Sequence, residues 1–217
     1  MINKEILEEY DTEKMFSAYD EWPNIANQAY NFHHKQVDFS GINHIVFAGM
    51  GGSGTIGDIF SAILSKTNIH VTIVKGYILP KTVDEFTLVV TTSVSGDTKE
   101  TLSILNSAEK MNCKVITFSS GGKMEEFCKN KNMEFRKIKK IHSPRASLVN
   151  FLYSILRVLQ PLIPIKDEEI LESIEKMKEL RKIIFSKNTT NKNNAINLAE
   201  WISGIPLIYY PYGIQSS

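Results

Sequence analysis

The stretch that decides the fold of this chain is His44-Ile45-Val46-Phe47-Ala48-Gly49-Met50-Gly51-Gly52-Ser53-Gly54-Thr55. Its first five residues, 44–48, have the continuous apolar character of a strand buried on both faces of a parallel sheet. A glycine-rich loop follows, and the apolar spacing beyond it predicts a helix over 53–64. The stretch therefore predicts a strand, a tight loop and a helix in direct succession.

A second stretch repeats this order further along the chain. The apolar run 87–92 is followed by the loop Ser93-Val94-Ser95-Gly96-Asp97-Thr98, and a helical spacing begins at its end. Because parallel strands that are each followed by a helix release their loops at the same edge of the sheet, we expect the two loops to lie side by side.

Strands and helices alternate through the middle of the chain. Further short apolar runs at 69–74, 114–118 and 133–138 alternate with helical spacings at 98–111 and 122–127. This alternation predicts an α/β fold with a doubly wound, five-stranded parallel sheet of the flavodoxin-like strand order. In that order, ligands bind in the crevice between the first and third strands.

We divide the chain into three parts. Residues 1–40 are predicted to be a helical arm, in which Pro23 marks a break between two helices. Residues 41–165 form the predicted sheet domain. Residues 166–217 contain a predicted linker helix and then a strand, Ile205–Tyr210, that looks like the beginning of a second, incomplete α/β domain.

Composition excludes several classes of protein. A formal net charge of +1 provides no general attraction for nucleic acid or membrane, so any anion must be bound by local geometry. The two cysteines, Cys113 and Cys128, have no CxxC spacing and predict neither a zinc site nor a disulfide framework. The most apolar stretch, 146–165, contains Pro161 and Pro164 and is predicted to be a core helix, not a membrane span. With no secretory signal in the acidic N-terminus, we expect a cytoplasmic protein.

The two loops have the chemistry of a phosphate-binding site. Helices that begin at Ser53 and Thr98 would direct backbone N–H groups and partial positive charge into the crevice. The side chains of Ser93 and Ser95 add hydroxyl donors. We therefore predict that both loops form one phosphate cradle.

Other interpretations of the first loop remain open at this point. The spacing Gly49-x-Gly51-x-x-Gly54 matches the dinucleotide fingerprint, and Lys75 after the second strand leaves NADP binding as an alternative. A P-loop is excluded because no Gly-Lys-Ser/Thr occurs. A loop that serves packing alone would not account for the second, hydroxyl-rich loop.

Motifs across the sheet domain resemble the sugar isomerase (SIS) family, and more narrowly the archaeal-type bifunctional phosphoglucose/phosphomannose isomerases. The resemblance runs from His44 to Leu159 and rests on Gly51-Gly52-Ser53-Gly54, Ser93-x-Ser95-Gly96-x-Thr98-x-Glu100-Thr101 and Ser143-Pro144-Arg145-Ala146. It implies interconversion of glucose 6-phosphate or mannose 6-phosphate with fructose 6-phosphate by a homodimer, with no metal and no cofactor. The residues that it implies for phosphate binding are Gly51, Gly52, Ser53, Ser93, Ser95 and Thr98, and it places Arg145 beside the reacting carbons as a catalytic residue.

The sequence does not supply an evident catalytic base. Aldose–ketose isomerisation moves a proton between C1 and C2 through an enediolate, which requires a carboxylate base and a cation near the developing oxyanion. Glu100 is predicted to act with Asp97 as a capping box, and Asp58 to organise the first loop. Among the histidines, only His142 is a candidate neighbour of the site.

The resemblance implies that the catalytic Glu and His come from a second SIS domain, beyond the strand predicted at 205–210. The chain is therefore expected either to be a truncated isomerase that supplies the phosphate-binding half of the site, or to be a non-catalytic module that binds or senses sugar phosphates. An NADP-dependent oxidoreductase is the third hypothesis and rests on the glycine fingerprint alone.

Overall fold

The computed structural model describes residues 2–202. The strands of this part of the chain are β1 (His44–Ala48), β2 (His70–Val74), β3 (Thr87–Ser93), β4 (Lys114–Ser119) and β5 (Glu134–Lys137). Its α-helices are α1 (Lys4–Tyr10), α2 (Met15–Asp20), α3 (Trp22–Asn31), α4 (Gly52–Leu64), α5 (Lys99–Ala108), α6 (Gly122–Asn130), α7 (Leu148–Leu159), α8 (Asp167–Ile184) and α9 (Asn194–Trp201), and a 3-10 turn, Gln160–Leu162, follows α7.

The five strands form one parallel sheet in the order β2-β1-β3-β4-β5. This order confirms the predicted doubly wound fold. Strand β1 pairs with β3 from His44 opposite Thr87 to Ala48 opposite Thr91. The chain steps to one side of β1 for β2 and to its other side for β3, so the topological switch point lies between β1 and β3.

Helices cover both faces of this sheet. Helix α4 contacts β1, β2, β3 and α7, whereas α5 contacts β3 and α6, and α6 contacts β4 and β5. Phe47 stacks on Phe60 of α4, while Val46 and Ala48 belong to the core cluster that contains Ile104 of α5. Because side chains alternate between the two faces along a strand, α4 and α5 lie on opposite faces.

Helix α4 approaches the sheet closely because it contains Gly57. A Cβ atom at this position would lie 2.9 Å from the Cβ of Phe47, a distance that real Cβ atoms do not reach. The missing side chain at Gly57 therefore sets how near α4 packs to β1, the strand that leads into the first glycine-rich loop.

The described residues fall into two compact units. Gln28–Ile165 contains the sheet, and residues 2–27 together with residues 166–202 form the other unit. Within the second of these, the side chain of Asp20 accepts hydrogen bonds from the N–H and the hydroxyl of Ser186, and the Nε of Arg181 donates to the Asp20 carbonyl oxygen. The three-part division predicted from the sequence stays a prediction.

The N-terminal arm contains three helices where the sequence predicted two. Pro23 is the second residue of α3, and α2 ends at Asp20, so the break lies just before the proline. Proline is tolerated in the first turn of a helix because the N–H groups there have no intrahelical acceptor. The strand predicted at Ile205–Tyr210 lies outside the described residues. No helix within residues 2–202 combines the length and the apolar character that crossing a bilayer requires.

Candidate functional site

The two loops predicted to form a phosphate cradle leave adjacent strands at the same edge of the sheet. The first loop follows Ala48, and the second begins at Ser93, the last residue of β3. Both strands are parallel and directly paired, so their carboxyl ends are neighbours at the switch point. This is the position at which open α/β sheets bind their ligands.

The first loop presents the beginning of α4 to solvent. Gly51 adopts φ +53 and precedes the helix, which begins at Gly52. Gly51 and Gly52 are exposed and Ser53 is half-buried. The N–H groups of Ser53 and Gly54 donate to the carbonyl oxygen of Met50 at 3.1 and 3.4 Å, so this exposed end attracts an anion chiefly through its partial positive charge.

The second loop is held by a network of hydroxyl groups. The Oγ of Ser93 lies 2.8 Å from Oγ1 of Thr98 and accepts a hydrogen bond of 3.1 Å from the N–H of Gly96. The N–H of Asp97 donates to Oγ of Ser95 over 3.2 Å. Ser93 is only 2% exposed, so it orders the loop from beneath, while Ser95 is exposed and Thr98 is half-buried.

A third segment, 119–124, supports the second loop, and sequence reasoning did not assign it to the site. The N–H of Met124 donates to the carbonyl oxygen of Gly96 at 3.0 Å, and the hydroxyl of Ser120 donates to that of Val94 at 2.6 Å. The pair Gly121-Gly122 after β4 was the sequence signal for this support, because it permits the close approach of two backbones.

Gly96 is the position where these two segments touch. Its φ is +78, and a Cβ atom there would lie 1.8 Å from the carbonyl oxygen of Gly121. A side chain cannot occupy that space. The shape of the hydroxyl-rich loop therefore depends on a glycine at this position.

The predicted capping box at the start of α5 is wrong. The N-cap residue is Thr98, and no side chain caps the helix. Oδ1 of Asp97 instead accepts a hydrogen bond of 3.0 Å from the N–H of Lys123, in the first turn of α6. The carboxylate of Asp97 therefore connects the second loop to α6 and does not cap α5.

The other two carboxylates beside the loops also have partners. Oδ2 of Asp58 lies 2.6 Å from Nζ of Lys75, the residue that left NADP binding open. The carboxylate of Glu100 hydrogen-bonds the exposed Tyr77 hydroxyl and thereby raises the pKa of Tyr77. Since both carboxylates already interact with another side chain, neither is an evident catalytic base.

Arg145 lies in an exposed turn between β5 and α7. The turn is held by Ser143 and Ser147: Oγ of Ser147 donates to the carbonyl oxygen of Ser143 at 2.8 Å, and Oγ of Ser143 accepts from the N–H of Ala146 at 3.2 Å. Within residues 2–202 the structure brings Ser93, Ser95 and Thr98 into one network but describes no contact between Arg145 and either loop. Its neighbour His142 adopts φ +50 in the same segment.

Comparisons with known proteins agree with the fold. Residues 38–159 match the SIS domain family. The bifunctional phosphoglucose/phosphomannose isomerase of Caldicellulosiruptor bescii is 30% identical over 207 residues, which cover 90% of this chain and 60% of that protein. The protein of the same name from Aquifex aeolicus is 33% identical over 174 residues, covering 79% of this chain and 50% of that one.

A solved structure, that of a hypothetical protein from Thermus thermophilus, superposes with a TM-score of 0.59 at 15% identity and covers 86% of this chain and 48% of that chain. At this identity the likeness shows the fold alone. The chain spans 60% and 50% of the lengths of the two curated relatives described above.

Proposed function

This chain belongs to the SIS domain family, and on that premise we propose that it binds a hexose 6-phosphate in the cradle between β1 and β3. The observation that carries the proposal is the hydroxyl network of the second loop, in which Ser95 and Thr98 reach the surface beside the exposed N-terminus of α4. Charge-assisted hydrogen bonds contribute about 1.5–3 kcal/mol each, so several donors can hold a phosphate without a lysine.

We propose further that the bound sugar phosphate is the substrate of an aldose–ketose isomerisation. The relatives from Caldicellulosiruptor bescii and Aquifex aeolicus are bifunctional phosphoglucose/phosphomannose isomerases, so the proposed pair is glucose or mannose 6-phosphate with fructose 6-phosphate. Proton transfer between C1 and C2 develops negative charge on an oxygen, and a guanidinium stabilises such an oxyanion. Arg145 is the proposed cation, and Gly51, Gly52, Ser53, Ser93, Ser95 and Thr98 are the proposed phosphate-binding residues.

The proposed division of labour gives this part of the chain binding and charge stabilisation. Asp58 is paired with Lys75, and Glu100 hydrogen-bonds Tyr77, so we assign the base to neither. These engaged carboxylates also support the second candidate, a module that binds sugar phosphates without turnover. A coupled assay that follows formation of fructose 6-phosphate from glucose 6-phosphate distinguishes the two, because any turnover by the pure chain excludes the non-catalytic module.

Thermal protection tests the cradle directly. Fructose 6-phosphate is expected to raise the melting temperature of the chain, and the double variant Ser95→Ala, Thr98→Ala is expected to abolish this rise. The matched control is Ser65→Ala, Thr67→Ala, which also removes one serine and one threonine hydroxyl, here from the turn after α4. Both hydroxyls donate to nearby carbonyl oxygens, and that of Thr67 also accepts from the N–H of Ile69. Equal protection of both double variants would exclude the cradle as the phosphate site.

A further inference from the structure

A cavity of about 280 Å³ lies apart from the cradle, within the unit that contains the sheet. It is formed by the segment 33–39, which precedes β1, and by the end of α7 with the residues that follow it. We call it the His34 cavity. The polar residues that line it are His33, His34, Lys35, Gln36, Arg157 and Gln160. None of the cradle residues lines it.

Two buried nitrogen atoms of residues in or next to the lining have no hydrogen-bond partner among residues 2–202. One is Nε2 of His34, which lines the cavity, and the other is Nε of Arg136. Arg136 is 7% exposed and adjoins the lining, since its Nη2 donates to the carbonyl oxygen of Lys35 at 3.0 Å. A buried polar group without a partner costs about 1–3 kcal/mol, so such atoms point to a partner from outside the chain, such as a water or an ion.

The surroundings of these atoms are cationic. Lys35, Arg136 and Arg157 contribute full positive charges, and the guanidinium of Arg157 lies 5.6 Å from the centre of the Tyr30 ring. Glu134 on β5 is the carboxylate beside them, and it is already engaged, at 2.7 Å by Nη1 of Arg136 and at 3.3 Å by Nζ of Lys35. The charges that face the cavity therefore favour an anion.

We propose that the His34 cavity binds a small phosphate-type anion, whose oxygen atoms accept hydrogen bonds from the imidazole of His34 and from Arg157 and offset the charge of Arg136. The volume suits inorganic phosphate or a short phosphate monoester, since sites for larger organic ligands usually hold about 300–1,000 Å³. Inorganic phosphate and glycerol 3-phosphate are the probes that distinguish these two sources.

Binding at this site carries a proton with it. In the free protein, burial first and then the charges of Arg136, His33 and Arg157 lower the pKa of His34 from 6.5 to about 4. An anion offsets these positive charges and favours the protonated ring, so binding of the anion is accompanied by proton uptake. Asp38 lies on the same segment but pairs with Lys114 at 3.1 Å and does not line the cavity.

Titration calorimetry on the full chain tests the proposal. The chain carries Ser95→Ala and Thr98→Ala throughout, so that phosphate cannot be held by the cradle hydroxyls. Inorganic phosphate is expected to bind with one-to-one stoichiometry, and His34→Gln or Arg157→Gln is expected to weaken the affinity at least tenfold. The exposed charge removed in Lys140→Gln is the matched control, and it is expected to change the affinity less than twofold.

Sulfate supplies a second readout, because its charge stays constant over the pH range in which histidine titrates. Titrations with sulfate in buffers of different ionisation enthalpy are expected to show net proton uptake, which His34→Gln removes. Absence of binding to the cradle-deficient chain, or equal loss in Lys140→Gln and Arg157→Gln, would overturn the proposal. Neither result would bear on the cradle, whose test uses the intact hydroxyl loop and fructose 6-phosphate.

Discussion

At Gly96 a hydrogen atom occupies a space that no side chain can fill. The residue combines a φ of +78 with direct contact between the second loop and the carbonyl oxygen of Gly121. The loop therefore owes its shape to a backbone contact with the segment after β4, as well as to the hydroxyl groups that the motif itself contains.

Substitution of this glycine is expected to destabilise the protein strongly. Gly96→Ala should lower the free energy of unfolding by about 2–4 kcal/mol, because the backbone must leave its left-handed conformation and the two segments must separate. Urea unfolding followed by circular dichroism measures this change. Gly76→Ala is the matched control, since no atom lies within 4 Å of a Cβ there and its φ is ordinary. Equal stability of the two variants would contradict the proposed packing.

At the scale of secondary-structure elements, Asp97 joins the second loop to α6. Its carboxylate accepts from the N–H of Lys123, and α6 has Gly121 as its N-cap, with no side chain of its own in that role. A carboxylate at a helix N-terminus satisfies an N–H group and interacts favourably with the helix dipole. The carboxylate therefore holds the loop and the helix together.

Two substitutions at Asp97 separate these contributions. Asp97→Ala is expected to lower the free energy of unfolding by about 1 kcal/mol, the usual loss for a helix cap. Asp97→Asn keeps an acceptor oxygen and loses only the charge, so it should retain more than half of that stability. Chemical denaturation measures both. If Asn and Ala were equally destabilising, the interaction with the charge and not the hydrogen bond would account for the effect.

At the scale of the whole molecule, two histidines make stability depend on pH. Burial is the main cause that lowers the pKa of His34 to about 4 and that lowers the pKa of His44, which lies between Thr87 and Thr72 at 3.2 and 2.9 Å. Between pH 6.5 and 4 an unfolded histidine is protonated while the folded His34 is not. Because the unfolded state then binds more protons, the contribution of His34 to the free energy of unfolding is fully present above pH 6.5 and is lost as the pH falls from 6.5 to 4.

His34→Gln is expected to make this loss shallower between pH 6.5 and 4. One proton changes the slope by at most about 1.4 kcal/mol per pH unit. Denaturation curves at a series of pH values, in buffers without phosphate or sulfate, measure the slope. Gln36→Asn is the control, because it alters the same segment and leaves every titrating group in place. A slope unchanged by His34→Gln would show that His34 titrates normally in the folded protein.

Much of the sheet could be predicted from the sequence. Strand β1 has the predicted bounds, β3 extends one residue further than predicted, and the strand order is the predicted one. Buried parallel strands are apolar along their whole length, so each leaves a local signal. The hydroxyl-rich loop was recognisable for a similar reason, since Ser93, Ser95 and Thr98 lie within six residues of one another and meet by local turns.

Contacts between segments that are distant in the sequence could not be predicted from local patterns. The capping box assigned to Asp97 and Glu100 followed from their spacing, but the fold brings Lys123 to Asp97 and Tyr77 to Glu100. The pair formed by Lys75 and Asp58 joins the end of β2 to α4, and the unpartnered nitrogen atoms of His34 and Arg136 belong to residues 102 positions apart in the sequence. No periodicity or motif records which side chains a sheet will bring together.

The sequence by itself determined the class of fold, the edge of the sheet where a ligand can bind and the residues of the two loops, because these depend on hydrophobic burial and backbone geometry over a few residues. The tertiary structure decided which group each charged side chain contacts. It turned Asp97 toward α6, paired Asp58 with Lys75 and placed the half-buried His34 near Arg136. The physical reason is that hydrogen bonds and ion pairs act over a few ångströms, and those distances are set only when the strands and helices have packed.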